Sequence, residues 1–137
     1  MKEVKPFDIE KVIDSASSVS IPSDQEVLHV LPQEYVIDDQ DGIKEPLGMS
    51  GVRLEARVHL VTCSNSALRN IEKCVNKCGL AVSGFVLEQL ASSYSILSDD
   101  EKDLGVCLVD IGGGTTDVAI FNAGSIVHTG VIPIAGD

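Results

Sequence analysis

The sequence has few basic residues, and this shortage argues against a nucleic-acid-binding surface. It contains 10 Lys and Arg against 21 Asp and Glu among 137 residues, which gives a formal net charge of -11. Affinity for nucleic acids comes mainly from Lys and Arg that neutralise phosphates, so we expect no DNA or RNA partner. A small magnesium-bound nucleotide remains compatible, because it needs only local donors and a metal ion.

Long apolar runs, a signal peptide and zinc-ligand spacing are also missing. No stretch approaches the roughly 20 apolar residues of a membrane span. Four cysteines lie in apolar runs with no signal peptide ahead of them, which favours reduced core thiols in a cytosolic protein. Cys74 and Cys78 have no second cysteine or histidine pair at ligand spacing, so we expect no zinc site.

Two common phosphate-binding motifs are absent as well. The sequence contains neither GxxxxGK[ST] nor GxGxxG, so it supports neither a P-loop nor a dinucleotide-binding fold. It has no internal repeat and no low-complexity segment. With 44% hydrophobic residues, the chain is predicted to be globular, with one ordinary core or two small ones.

The pattern before residue 50 predicts one helix and one strand. Apolar residues at helical spacing follow Asp8, which we interpret as the N-cap of a short amphipathic helix. Residues 27–38 are rich in β-branched and aromatic residues and predict a strand. Pro32 removes a donor from that strand and indicates an edge or a bulge. The acidic, turn-rich segment 38–48 is predicted to be an exposed loop.

Residues 52–83 complete a small α+β unit in this reading. Residues 52–62 alternate apolar and polar side chains, which predicts a strand with one buried face. A helix is predicted to start at Ser64 or Asn65 and to end at Gly79. A closing strand, which reaches about residue 83, gives the order helix, strand, strand, helix, strand.

A second unit is predicted from the helical spacing of apolar residues over 87–97 and from a strand-rich C-terminal part. The acidic run 98–103 is interpreted as a break after that helix. Three strands follow, at residues 104–110, 116–121 and 125–132. Without covering helices, such a meander exposes apolar faces and an unpaired edge, so we expect this to be part of a longer protein.

The segment LVDIGGGTTDVAIF, residues 108–121, is the most informative one. Glycines at 112–114 lack a Cβ, so the turn can adopt positive φ angles and can bring its amide N–H groups close to an anion without steric cost. Asp110 at the strand end needs a cation beside bound phosphates, and Mg²⁺ binds phosphates with one or two protein carboxylates. A purely structural glycine-rich hairpin is the alternative. Asp117 can simply accept turn N–H groups, so we leave it out of the metal shell.

The string VDIGGGTTDVAIF resembles the second phosphate loop of the actin, Hsp70 and sugar-kinase superfamily. VLHVLPQEYVIDDQDGIKEPLGMSGVRLEARVHLVTC, LASSYSILSDDEKDLGVCLVDIGGGTTDVAIF and HTGVIPIAGD together resemble the FtsA family of bacterial cell-division proteins, over nearly the whole chain. The resemblance implies an SHS2-type α+β subdomain, called 1C, at residues 1–83. Residues 84–137 would then open the actin-like (ribonuclease H-like) subdomain 2A.

The same resemblance implies ATP and Mg²⁺ as ligands. Asp110 would hold Mg²⁺ through water, and Glu88, in LEQLASSYS, would orient an attacking water. The structural alternative for Glu88 is a solvated acid favoured by the helix dipole. We expect a nucleotide-binding adaptor with at most slow ATPase activity rather than an enzyme. The residues implied to contact ATP are Gly112, Gly113, Gly114, Thr115 and Thr116.

Partners are implied by the resemblance only. FtsZ would bind through a subdomain outside these residues, FtsN and further copies through subdomain 1C, and the membrane through a C-terminal amphipathic helix. The expected location is the cytoplasmic face of the cell membrane at the division septum. Two alternatives remain: another superfamily member, either MreB-like or a sugar-kinase-like phosphotransferase, and an interaction module with no nucleotide dependence.

Overall fold

The chain has a mixed α+β architecture, which confirms the predicted fold class. The computed structural model describes residues 2–136, and it divides the chain into two units, Met1–Phe85 and Val86–Asp137. Each unit contains a three-stranded antiparallel sheet and two helices within the described residues.

The first unit is built around a sheet in the order β2-β1-β3. The strands pair antiparallel, with Tyr35 opposite Ala56 and Ile37 opposite Leu54. The side chains of these two pairs lie on the same face of the sheet, and all four are apolar or aromatic. This face packs against α1 and Val4. The elements are α1 (Pro6–Ser17), β1 (Gln25–Ile37), β2 (Gln40–Ile43), β3 (Leu54–Ser64) and α2 (Asn65–Lys77).

Two details of the first helix and strand differ from the sequence prediction. Helix α1 begins at Pro6 rather than after Asp8, and the Asp8 carboxylate accepts the Lys5 amide N–H at 3.0 Å. Pro is well suited to a first helical position, because its missing N–H would have no helical partner there. Strand β1 pairs with β2 only at Tyr35 and Ile37, whereas Pro32 lies in the part that pairs with β3 alone, at a register shift beside Glu34. The bulge interpretation is therefore correct, and the edge interpretation holds at Pro32 but not for the whole strand.

The predicted loop and closing strand of the first unit are also corrected. Strand β2 lies inside the segment predicted to be a loop, and it forms a hairpin with β1. The closing strand is absent, because residues 80–87 have no regular structure. Helix α2 ends as predicted, with Gly79 at a φ of 77° just beyond it.

The cysteines are free thiols, but most of them are not core residues. Cys63 is half-buried, and burial raises the pKa of its thiol, with a smaller contribution from the nearby Glu26 charge. The other three, Cys74, Cys78 and Cys107, are exposed, so the expectation of core thiols is wrong for them.

Asp38 connects the β1–β2 turn to the segment before β3. Its carboxylate Oδ1 accepts the amide N–H groups of Val52 at 3.0 Å and Arg53 at 2.9 Å. Its own amide donates to the Arg53 carbonyl at 2.9 Å. Hydrogen bonds from the Arg53 and Val52 amides hold the pKa of Asp38 below its ordinary value. Asp38 has a φ of 53°, a conformation that Asp and Asn tolerate better than most residues.

We expect Asp38→Asn to weaken the acid sensitivity of folding. A lowered folded-state pKa means that the stabilisation is present above the unfolded pKa of about 3.9 and is lost as the pH falls through the folded value. The Asp38→Asn variant retains the backbone preference but cannot titrate, so its melting temperature should fall less between neutral and strongly acidic pH. Thermal unfolding across that range measures the difference. Asp39→Asn, at a neighbouring exposed acid, is the control, and parallel curves for Asp38→Asn and the unsubstituted protein would contradict the prediction.

The second unit is a meander in the order β4-β5-β6, as the sequence predicts. Helix α3 forms in the segment where the first helix of this unit is predicted. The acidic run after it forms a further helix, α4, rather than a break. Ser98 caps this helix, because its hydroxyl accepts the Glu101 amide at 3.2 Å while its own amide donates to the Glu101 carboxylate at 2.9 Å. The elements are α3 (Glu88–Ile96), α4 (Asp99–Leu104), β4 (Val106–Ile111), β5 (Thr116–Asn122) and β6 (Ser125–Ile132).

One face of this second sheet is buried and the other is exposed. Helices α3 and α4 contact β5, and α3 also contacts β4. Leu108, Ala119 and Phe121 are buried on the covered face. The alternating positions Val109, Ile111 and Ile120 expose apolar side chains on the opposite face.

Candidate functional site

The glycine turn connects β4 to β5 at one end of the second sheet. The Gly112 amide N–H donates to the Thr115 carbonyl at 2.9 Å and closes the four-residue connection. The chain after β6 lies beside it, because the Gly136 amide donates to the Gly112 carbonyl at 3.3 Å and the Thr116 hydroxyl donates to the Ile134 carbonyl at 2.6 Å. The turn is therefore held by hydrogen bonds at both of its ends.

The three glycines leave open space in front of this turn. None of them has a positive φ, so the turn does not use the left-handed backbone that glycine would allow. A Cβ added at Gly113 or Gly114 would meet no atom within 4 Å, whereas one at Gly112 would lie 3.3 Å from the Thr115 carbonyl oxygen. Glycine at 113 and 114 therefore matters for access to the backbone rather than for its conformation.

Three amide groups of the turn remain available for an anion. Within the described residues, the amides of Gly113, Gly114 and Thr115 make no backbone hydrogen bond, while the Gly112 amide is engaged by Thr115. All four of these residues are exposed. Successive unpaired backbone N–H groups form a concave site suited to an anion. The Thr116 hydroxyl proton is used by Ile134, so this side chain can only offer its oxygen as an acceptor.

Two carboxylates lie opposite one another beside the turn. Asp110 on β4 pairs with Asp117 on β5, so both side chains are on the same face of the sheet. Directly opposite Cβ atoms are about 4.5–5.5 Å apart. Asp117 is only 9% exposed, and Asp110 is half-buried. In residues 2–136, no basic nitrogen forms a salt bridge with either carboxylate.

This pair fits a hard divalent cation. Like charges directly opposite each other on a sheet are destabilising, so a cation bound between them would be favourable. Carboxylate oxygens suit Mg²⁺, which takes few protein ligands and fills its other positions with water and phosphate oxygens. The described residues gather no set of three or more His, Cys, Asp or Glu that would enclose a metal by itself. Two carboxylates beside an open anion site therefore match a metal that is shared with phosphates.

Sequence reasoning missed Asp117 as a member of this pair, although a signal for it was present. A four-residue turn over 112–115 places residue 111 opposite 116 and residue 110 opposite 117. Counting outward from the turn would therefore have put both carboxylates in one row. Leu108 lies two residues before Asp110, and Ala119 lies two residues after Asp117; both apolar residues are buried. Because every second residue of a strand is on the same face, this also places both carboxylates on the covered face.

Glu88 occupies the first position of α3 and is exposed. The next residue, Gln89, is buried, and its side-chain Nε2 donates to the Gly130 carbonyl on β6 at 3.5 Å. Gly130 pairs with Val118, next to the Asp117 position on the neighbouring strand. The start of α3 is therefore bound to the sheet near the row that contains both carboxylates.

Comparison with known proteins identifies the family. A family described as "SHS2 domain inserted in FTSA" matches residues 1–62, and one described as "Cell division protein FtsA" matches residues 107–137. The chain belongs to the FtsA family. It is therefore related to cell-division proteins in both of its units.

Curated relatives support this membership across almost the whole chain. The cell division protein FtsA of Pseudomonas aeruginosa is 68% identical over 136 residues, which cover 99% of this chain and 33% of the relative. That of Escherichia coli K12 is 54% identical, covering 99% of this chain and 32% of the relative. The Neisseria meningitidis relative is 50% identical, with 98% and 33% covered. The chain thus spans about a third of the length of these relatives.

The helices of the described residues do not have the length and apolar character of a membrane-crossing segment.

Proposed function

We propose that this chain contributes a magnesium-ATP site to an adaptor of the bacterial division machinery. The observation that carries the proposal is the unneutralised pair Asp110 and Asp117 beside a turn with three unpaired amides. Each half of this arrangement lacks what a magnesium nucleotide supplies, namely a cation for the carboxylates and oxygens for the amides. Membership in the FtsA family supports a role in cell division.

The roles of the residues follow from their positions. The amides of Gly113, Gly114 and Thr115 would donate to phosphate oxygens, and the backbone can approach them because no Cβ is present at 113 and 114. Asp110 would hold Mg²⁺ through water, with Asp117 opposite it as a second acceptor for the water shell. Bound magnesium would neutralise charge between the carboxylates and the phosphates.

We further propose that the nucleotide acts mainly as a ligand that sets conformation and assembly. Glu88 is exposed on the first turn of α3, and it is the carboxylate proposed to orient a water for hydrolysis. Slow turnover, with nucleotide binding as the main event, is what the family resemblance implies.

The proposed partners and location rest on the family resemblance. FtsZ would bind through a subdomain outside these residues and the membrane through a C-terminal amphipathic helix, and no residue of this chain is assigned to either contact. FtsN and further copies of the protein would bind the first unit. The proposed location is the cytoplasmic face of the membrane at the division septum.

We expect Gly113→Val to weaken magnesium-ATP binding by at least about tenfold without lowering the melting temperature. The added side chain would extend into the open space in front of the turn and would displace a bound phosphate. Its Cβ would have no protein atom within 4 Å. One lost charge-assisted hydrogen bond of 1.5–3 kcal/mol corresponds to roughly that loss of affinity. Calorimetric titration of the protein at its full natural length measures the affinity.

Gly84→Val is the matched control, because a Cβ at Gly84 also meets no atom within 4 Å and its φ is not left-handed. It should leave both affinity and stability unchanged. Equal nucleotide affinity in the Gly113→Val variant and the unsubstituted protein would refute phosphate binding at this turn.

We expect Asp110→Asn to have opposite effects on stability and on binding. Without nucleotide and magnesium, removal of one of two facing charges should raise the free energy of unfolding by up to about 1 kcal/mol. With both present, the variant should bind ATP more weakly and should respond less to added Mg²⁺. Chemical denaturation and calorimetry measure the two effects.

Asp41→Asn, which removes an exposed acid on β2, controls for the change in net charge. A destabilised Asp110→Asn variant with normal magnesium dependence would show that this carboxylate has a structural role instead.

Two other functions would give different results in the same experiments. A sugar-kinase-like phosphotransferase would turn over ATP rapidly, and only with a small hydroxylated substrate. An interaction module would bind a division-protein peptide through the first unit and would not respond to ATP or to substitution of the turn. Family membership and the open turn together favour the nucleotide-binding adaptor.

A further inference from the structure

Gln89 is a buried polar side chain that reaches from a helix to the sheet. It is 3% exposed, and its Nε2 donates to the Gly130 carbonyl at 3.5 Å. The other buried polar residue of α3, Ser93, is 0% exposed, and its hydroxyl donates to the Leu90 carbonyl of the same helix at 2.7 Å. Burial of an amide is unfavourable unless it is hydrogen-bonded, so the contact between Gln89 and Gly130 connects the first turn of α3 to β6.

The acceptor of this hydrogen bond lies next to the carboxylate row. Gly130 pairs with Val118, and the following residue, Val131, pairs with Asp117. Asp117 in turn pairs with Asp110. Neighbouring positions along a strand are about 3.4 Å apart, so Gln89 binds the sheet at the end that carries the glycine turn.

We propose that Gln89 is a positioning residue for the nucleotide site, which holds the carboxylate of Glu88 close enough to influence the bound magnesium nucleotide. This inference rests on the proposed nucleotide binding. Glu88 directly precedes Gln89 at the start of α3, so a fixed Gln89 amide also fixes the backbone from which the Glu88 side chain extends. The charge of the Glu88 carboxylate then acts on the cation and the phosphates from a fixed helix end rather than from a mobile one.

The test is a double-mutant cycle in the protein at its full natural length. Gln89→Met retains an unbranched side chain of similar size but removes the amide, so the packing of α3 should be preserved. Glu88→Gln removes the charge alone. ATP affinity is measured by calorimetry with and without Mg²⁺ for the unsubstituted protein, both single variants and the double variant.

Coupling between the two residues is the expected result. Glu88→Gln should change the magnesium-dependent part of the affinity by at least about twofold when Gln89 is present, and by clearly less when Gln89→Met is combined with it. Hydrogen exchange adds a readout that requires no nucleotide. Gln89→Met should speed exchange of the Ala91 amide, which donates to the Leu87 carbonyl in the first turn of α3.

Ser93→Ala is the matched control for general loosening of α3. It removes a second buried polar group one turn further along, but its hydrogen bond lies within the helix. It should leave the effect of Glu88→Gln unchanged and should not speed exchange at the first turn.

The outcomes separate this inference from the function on which it rests. If the unsubstituted protein binds no magnesium-ATP, both proposals fail. If it binds the nucleotide but Glu88→Gln has the same effect, or no effect, with and without Gln89→Met, the positioning role of Gln89 is refuted and the nucleotide site stands.

Discussion

The register between β4 and β5 is the constraint on which the arrangement of the second unit depends. The four-residue connection closed by Gly112 and Thr115 fixes the register of β4 and β5, and that register puts the two carboxylates on one face. A shift of one residue would move one of them to the exposed face, where it would be solvated, and the pair would no longer exist. The same register places Leu108 and Ala119 in the core. The sheet therefore cannot bury its apolar face without also bringing two negative charges together.

In the proposed nucleotide site, this coupling would account for the small side chains of the turn. A site that joins a cation to an anion needs donors next to the carboxylates, and side-chain donors such as Lys would neutralise the carboxylates in the absence of ligand. Backbone amides carry no net charge, so they attract phosphate without satisfying Asp110 or Asp117. Gly113 and Gly114 leave those amides accessible, and their backbone conformation, which is not left-handed, does not by itself require glycine.

The sequence reveals those features that depend on neighbouring residues. The alternation along β3, the glycine after α2 and the three strands of the meander are all local patterns, and the structure confirms them. Strand β2 was missed because it is only four residues long, Gln40–Ile43, and three of these are polar or glycine, so its pairing with β1 leaves no alternating apolar pattern. The α4 cap was local and readable, since Ser98 and Glu101 have capping-box spacing, but the acidic composition favoured a break. The burial of Gln89 depends on a partner 41 residues away, so no local pattern could predict it.

A comparison of Asp38 with the carboxylate pair shows how hydrogen bonding distinguishes a structural acid from one available to a ligand. The Asp38 carboxylate accepts two backbone amides, so its charge is satisfied by the fold and its pKa is lowered. Asp110 and Asp117 form no salt bridge in the described part of the chain and face each other across two strands. Both arrangements place an acid near backbone N–H groups. In the first, the amides point to the carboxylate, which removes the need for a cation. In the second, the amides of the turn remain unpaired. A metal-bound anion could therefore supply a cation to the carboxylates and an anion to the amides.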